Sequence, residues 1–179
     1  MEITLIRHGK SACLHERNMT SEKFSAWVKR YDDNGVITET AYPEESLRKI
    51  RMAELIVTSD LKRSIQSAAL LSNERNTVSL PLFRETDLPT LSSNIRGLVL
   101  HSTIWASVLR ILWFCGYSNG KESFRHAKQR AETAADHLIE LAHKHEKIAL
   151  VGHGFFNRFI AKELVKKGWH GARNVDSKH

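Results

Sequence analysis

Thr4-Leu5-Ile6-Arg7-His8-Gly9 is the stretch that decides the fold. An apolar run opens at the second or third residue and stops at an arginine, a histidine and a glycine. A short run of this kind reads as a buried strand, and its polar end lies where an α/β sheet presents chemistry. Much later the form recurs in Ile148-Ala149-Leu150-Val151-Gly152-His153-Gly154. Two strands thus each deliver a histidine beside a glycine.

Between and after these strands the pattern predicts alternating elements. Phe24, Trp27, Val28 and Tyr31 recur at helical spacing, with Ser21 as a candidate cap and Asp33-Asn34-Gly35 as the stop. Pro43-Glu44-Glu45-Ser46 reads as the first turn of a helix running to about Arg51. Residues 54–58 read as a second strand, and Ser59-Asp60 as the cap of a helix over 61–71. A third strand is expected over 79–83, ending at Arg84-Glu85. Helices are expected over 95–117, 122–145 and 155–167, with a strand over 147–151. This order predicts an α/β three-layer sandwich, a mostly parallel sheet with helices on both faces, forming one domain over 1–179. A further strand after the last helix is expected of such a sheet, although the polar final dozen residues carry no pattern for it.

Hydrophobic content of 41% and charged content of 26% fit a globular protein. The formal charge of +7 favours anionic partners, which include phosphorylated metabolites, phosphoproteins and nucleic acid. Its lysines and arginines form no block, which argues against a nucleic-acid arm. Cys13 and Cys115 lack C-x-x-C spacing and suit reduced thiols in a cytoplasmic protein. No signal-peptide pattern precedes the first strand, and the most apolar stretch, 98–117, carries His101 and Arg110 and falls short of a membrane span. His137, His143 and His145 are spaced so that one helix cannot bring all three to one face, so no metal is expected there.

Four groups fall at the carboxyl ends of the predicted strands: Arg7 with His8, Ser59 with Arg63 one turn beyond, Glu85, and His153. Arginine forks hold phosphate oxygens bidentately and keep their charge. A neutral imidazole can attack phosphorus and hold it covalently, while a second, protonated one can stabilise the equatorial oxygens. A carboxylic acid can protonate the leaving oxygen and then activate water. This is a kit for phosphoryl transfer that requires neither metal nor cofactor.

Arg7-His8-Gly9, Ser59-Asp60-Leu61-Lys62-Arg63, Arg84-Glu85 and Gly152-His153-Gly154, in this order and each at a strand end, resemble the histidine phosphatase superfamily, which is phosphoglycerate mutase-like in fold. Glu122-Ser123 before the last motif is similar too. The resemblance implies His8 as the nucleophile, Arg7, Arg63 and His153 as the phosphate pocket with the Gly154 amide beside them, and Glu85 as proton donor. Asp87, two residues on, would point to the same side of an extended segment and stands as the alternative donor. It also implies that insertions between the donor and the second histidine cover the site, here residues 90–120, with Arg96, His101, Arg110 and Lys121 as candidates to meet the rest of a substrate. Two departures stand out: Lys10-Ser11 where many members have Glu-Thr, and Leu14 where many have a phosphate-binding asparagine.

The activity expected is a metal-independent phosphatase acting on a phosphorylated small molecule or phosphoprotein. Alternatives are a mutase-type phosphotransferase and a phosphate-binding module whose catalysis has decayed. Trp105, Leu109, Leu112, Trp113 and Phe114 are bulky for a surface helix, which suggests core packing or a lid, with a dimer contact as the runner-up.

Overall fold

A computed structural model describes residues 1–72, 76–91 and 97–171. Four parallel strands form the sheet: β1 (Glu2–Arg7), β2 (Leu55–Thr58), β3 (Thr77–Ser79) and β4 (Lys147–Gly152). Their spatial order is β1-β4-β2-β3. Six helices complete the described fold: α1 (Ser21–Asp33), α2 (Glu44–Met52), α3 (Lys62–Ser72), α4 (Ser102–Phe114), α5 (Phe124–His145) and α6 (Gly154–Lys166).

The period of two along each strand assigns the layers. Ile3 and Leu5 of β1, Leu55 and Val57 of β2, and Ile148 and Leu150 of β4 join the core formed with α5 and α6. Ile6, Ile56, Ala149 and Val151 turn to the opposite face, where Ile50 of α2 and Ala68 and Leu71 of α3 meet them. β2 and β4 are buried almost throughout because both faces are covered. Each fully buried Val, Leu or Ile contributes roughly 1.5–3 kcal/mol. On α5 the buried residues are Ala127, Ala131, Ala134, Ala135, Leu138 and Ala142. Such small side chains let the helix lie close against the sheet and α6.

A third cluster lies outside this sandwich. Met19, Phe24, Trp27, Trp105 and Leu109 pack α1 against α4. Trp27 Nε1 donates to the Leu14 carbonyl and Trp105 Nε1 to that of Met19, so neither indole is buried without a partner. Trp113 lies in the main core, whereas Phe114 is exposed.

The structure corrects several boundaries. Thr20, rather than Ser21, caps α1, its hydroxyl accepting the Lys23 amide. The third strand ends at Ser79, not 83, because Pro81–Phe83 closes a 3₁₀ turn in which Phe83 N–H donates to Leu80 and Arg84 N–H to Pro81. The turn drives Phe83 fully into the core. The expected helix over 95–117 is shorter. Gly97 has a φ of +89°, Leu100 bridges to Met19, and the His101 ring accepts the Thr103 amide, so the helix begins at Ser102. It stops one turn early because Gly116, φ +96°, takes the left-handed position with Tyr117 N–H bonded to Leu112. Ile95 and Arg96 lie outside the described residues. No strand follows α6 among the described residues, and 172–179 lie outside them. No described helix is long and apolar enough to cross a membrane. Cys13 and Cys115 are not bonded to each other.

Candidate active site

Register brings the two motifs together. Arg7 pairs with Gly152 on neighbouring strands, so the chain leaves β1 and β4 at the same level with a histidine next in each. The rings of His8 and His153 meet edge to face, centroids 5.1 Å apart. Beside them opens a cavity of about 240 Å³. Arg7, His8, Arg63, Glu85 and Gly154 line it as the sequence predicts, and Tyr31, Phe155 and Arg158 line it as well. His153 stands behind His8, fully buried.

His8 is held from its Nδ1 side, 2.7 Å from the Gly9 carbonyl. A carbonyl only accepts, so Nδ1 carries the proton and Nε2 keeps the ring's lone pair. The Gly9 amide in turn donates to Ser67 Oγ, and Ser67 donates to the Arg63 carbonyl. The nucleophile's loop is thereby tied to the helix that carries Arg63.

Arg63 is buried, yet its guanidinium is only partly engaged. Nη1 donates to Asp32 Oδ1 at 2.9 Å and to the Tyr31 carbonyl at 3.3 Å, and its Cζ lies 4.7 Å from the centre of the Tyr31 ring. Nε is buried without a hydrogen-bond partner among the described residues. A buried, unsatisfied donor on a cation that lines a cavity is a place for an anion.

His153 is positioned by Ser59, whose Oγ lies 2.7 Å from Nε2 while also accepting the Leu61 amide. Ser59 is thus not the cap the sequence suggests, since α3 begins at Lys62; its hydroxyl holds the turn before the helix and supports the second histidine. Gly152 precedes His153 because a Cβ there would come within 2.6 Å of Asn157 Oδ1. Buried Asn157 needs that position, since its Nδ2 ties α6 to the Ile6 carbonyl at the end of β1. Gly154 follows because a Cβ would stand 2.9 Å from Arg7 Cδ. The glycine lets the Arg7 side chain lie across the start of α6. The Gly154 amide, first in α6, has no acceptor within the helix and offers a further N–H at the same end.

Burial, reinforced by Arg63, His8, Arg130 and Arg7, pushes the His153 pKa well below its usual value. The imidazole is therefore neutral at neutral pH. An unfolded histidine takes up a proton near pH 6.5, whereas folded His153 resists until lower pH, so the unfolded state binds more protons between the two values. Stability is complete above about pH 6.5 and falls as pH drops through that window. In thermal melts across pH 5–8, His153→Gln is expected to flatten this acid-side decline; an unchanged slope would assign it to other groups.

Glu85 sits where the start of α6 can grip it. Oε1 accepts the Phe156 and Thr86 amides at 3.0 and 2.9 Å, and Oε2 accepts the Phe155 amide at 3.2 Å. The carboxyl plane is fixed, and Oε2, with a single amide on it, retains a lone pair for proton transfer. Arg130 supports this segment from below, donating to the Leu82 and Arg84 carbonyls while pairing through two nitrogens with Glu122. Asp87 faces away: it lines a separate cavity with Asp32, Asp33 and Lys121. Arg84 forms an ion pair with Asp60 at the surface. Of the described residues expected to meet the rest of a substrate, Arg110 packs against a lining residue. It stacks on Phe155 at 4.3 Å and bonds Thr86, behind the cavity wall. The Leu14 side chain is 73% exposed.

Sequence reading missed four supports. Tyr31 has the spacing of a core residue, Arg158 follows the second histidine by five positions, and Asn157 and Arg130 each lie within a helix pattern. The buried polar residue on an apolar face was the one available signal, for Asn157. No group of three or more His, Cys, Asp or Glu is arranged to hold a metal among the described residues.

The model of the histidine phosphatase superfamily (branch 1) matches residues 3–178. No curated protein matches the chain. Similar solved structures include a mycobacterial glucosyl-3-phosphoglycerate phosphatase, 19% identical with a TM-score of 0.57, covering 90% of this chain and 78% of that one. A putative α-ribazole-5′-phosphate phosphatase from Escherichia coli is 17% identical, TM-score 0.53, over 92% of this chain and 78% of that one. A phosphoserine phosphatase from Entamoeba histolytica, in complex with 3-phosphoglyceric acid, is 13% identical, TM-score 0.54, over 92% and 79%. At these identities the likeness is one of fold.

Proposed function

The chain belongs to the histidine phosphatase superfamily, branch 1, and on that premise we propose that it hydrolyses a phosphomonoester through a phosphorylated His8, without a metal ion. The observation that carries the proposal is the clamp on His8: Nδ1 donates to the Gly9 carbonyl, leaving Nε2 as the basic nitrogen beside a cavity lined by Arg7 and Arg63.

In the first step Nε2 forms a bond to phosphorus while the ester P–O bond breaks. Arg7, Arg63 and the Gly154 amide take the equatorial oxygens, where charge is greatest. Protonated Glu85 gives its proton from Oε2 to the leaving oxygen. In the second step the Glu85 carboxylate removes a proton from water, the oxygen attacks phosphorus, and the P–N bond breaks to release inorganic phosphate. His153, kept in place by Ser59, stands behind His8 and packs against its ring. The phosphatase names of its structural relatives are consistent with this reading.

Alkaline quenching during turnover of a phosphorus-labelled aryl phosphate tests the route. Label retained on the protein, with turnover unaffected by chelator, is the expected result; chelator-sensitive turnover with no retained label would overturn it.

Glu85→Gln separates the donor's role from its role at α6. The amide keeps one acceptor oxygen, so the fold should hold. Hydrolysis of alkyl phosphates should fall by about 10²–10⁴-fold, with p-nitrophenyl phosphate, whose leaving group needs little protonation, much less affected. Equal losses on both substrates would move the donor elsewhere.

A further inference from the structure

Tyr31 lies in the last turn of α1, at helical spacing from Phe24, Trp27 and Val28. The structure packs it against that cluster and also gives it a second neighbour. Its ring borders the same cavity as Arg7, His8, Arg63 and Glu85. It is held there on three sides: Trp27 packs at 5.3 Å between centroids, the Arg63 guanidinium covers the ring, and the Tyr31 carbonyl accepts from Arg63 Nη1. The phenol oxygen has no hydrogen-bond partner among the described residues. It is not one of the buried unpartnered atoms, so the O–H is open to solvent and can meet an arriving group.

Resting on the phosphatase reading above, we propose that Tyr31 is a direct ligand of the phosphoryl group, its phenol O–H donating to a phosphoryl oxygen alongside Arg7 and Arg63. Three observations favour this assignment. Nη1 of Arg63 is spent on Asp32 and the Tyr31 carbonyl, so Arg63 presents only its other nitrogens to an anion. A phosphoryl group has more lone pairs than those nitrogens and Arg7 can satisfy, and the unpartnered phenol borders the same space. Finally, burial raises the Tyr31 pKa despite the opposing pull of Arg63 and Arg7, so the group stays an O–H donor at neutral pH. Tyr31 and Arg63 thus act as a pair: the backbone and ring of one set the fork of the other, and both point donors at one anion.

Tyr31→Phe tests this directly because it keeps the ring over Arg63 and removes only the hydroxyl. A hydrogen bond to a charged group is worth roughly a 10- to 100-fold change in binding. The variant should bind inorganic phosphate and vanadate about tenfold or more weakly, with kcat/KM for an aryl phosphate lowered similarly and the melting temperature unchanged. Phosphate should also produce a tyrosine absorbance difference in the wild type that this variant lacks. The chain has only three tyrosines, so the signal is readable. If wild type and variant bind phosphate and vanadate equally, Tyr31 is not a ligand while the phosphatase reading stands. If the wild type binds neither anion, the phosphate site itself is overturned, and this proposal with it.

Discussion

His8→Ala is expected to lose phosphatase turnover by about 10⁴-fold or more, because it removes the atom that accepts the phosphoryl group rather than one that assists the transfer. Binding should behave differently. Arg7, Arg63 and the Gly154 amide remain, so affinity for inorganic phosphate or vanadate should change by less than about tenfold, the scale of one neutral contact. Some stability will go too: the Gly9 carbonyl loses its imidazole partner in a buried setting, a cost of roughly 1–3 kcal/mol. The protein should still fold, since Gly9 keeps its amide bond to Ser67 and the β1–β4 ladder is untouched. Added imidazole offers a signature that a merely structural histidine would not give. A small nucleophile diffusing into the vacated space can take the phosphoryl group and restore turnover. Retained turnover in His8→Ala, or lost anion binding together with it, would mean that His8 shapes the pocket without attacking phosphorus.

The same contrast between attack and support explains what was legible in the sequence. His8 and His153 lie just past strand ends, where an abrupt change from apolar to polar is visible in one dimension, while Arg63 and Glu85 follow in the helix after β2 and beyond the turn after β3. Strand faces were legible for the same reason: Ile3 and Leu5 against Ile6, or Ile148 and Leu150 against Ala149 and Val151, alternate as the pleat requires. The supporting contacts could not be read this way. Arg130 reaches back 46 residues to the Arg84 carbonyl, and Asn157 spans 151 residues to Ile6. Such bonds exist only once the sheet has set which helix starts lie together. Tyr31 was half legible: it packs on the Phe24 and Trp27 cluster as its helical spacing predicts, while its place at the cavity depends on Arg63 of another helix. The third strand failed on local grounds. Ser79-Leu80-Pro81-Leu82-Phe83 has strand composition, but a proline inside it has no N–H for a ladder and suits a tight turn.

Arg63→Met is the other variant with a large expected effect, and it divides activity from stability. Methionine keeps an apolar stem of comparable length but removes the guanidinium. In catalysis this deletes donors aimed at charge that grows in the transition state, a loss of about 10²–10³-fold in kcat/KM. Stability should respond far less. The Asp32 carboxylate left behind is 42% exposed, so water can solvate it, and an ion pair open to solvent on one side is worth little. Against that small loss stands the removal of a buried cation whose Nε has no partner among the described residues, a change that is often neutral or stabilising. The melting temperature is therefore expected to stay close to that of the wild type while activity collapses. Arg63→Lys should rescue only part of the activity. An ammonium restores the charge, but it cannot hold Asp32 and the Tyr31 carbonyl through one nitrogen while offering others to phosphate. A large drop in melting temperature for Arg63→Met, with activity per folded molecule preserved, would instead make Arg63 a structural tie between α1 and α3.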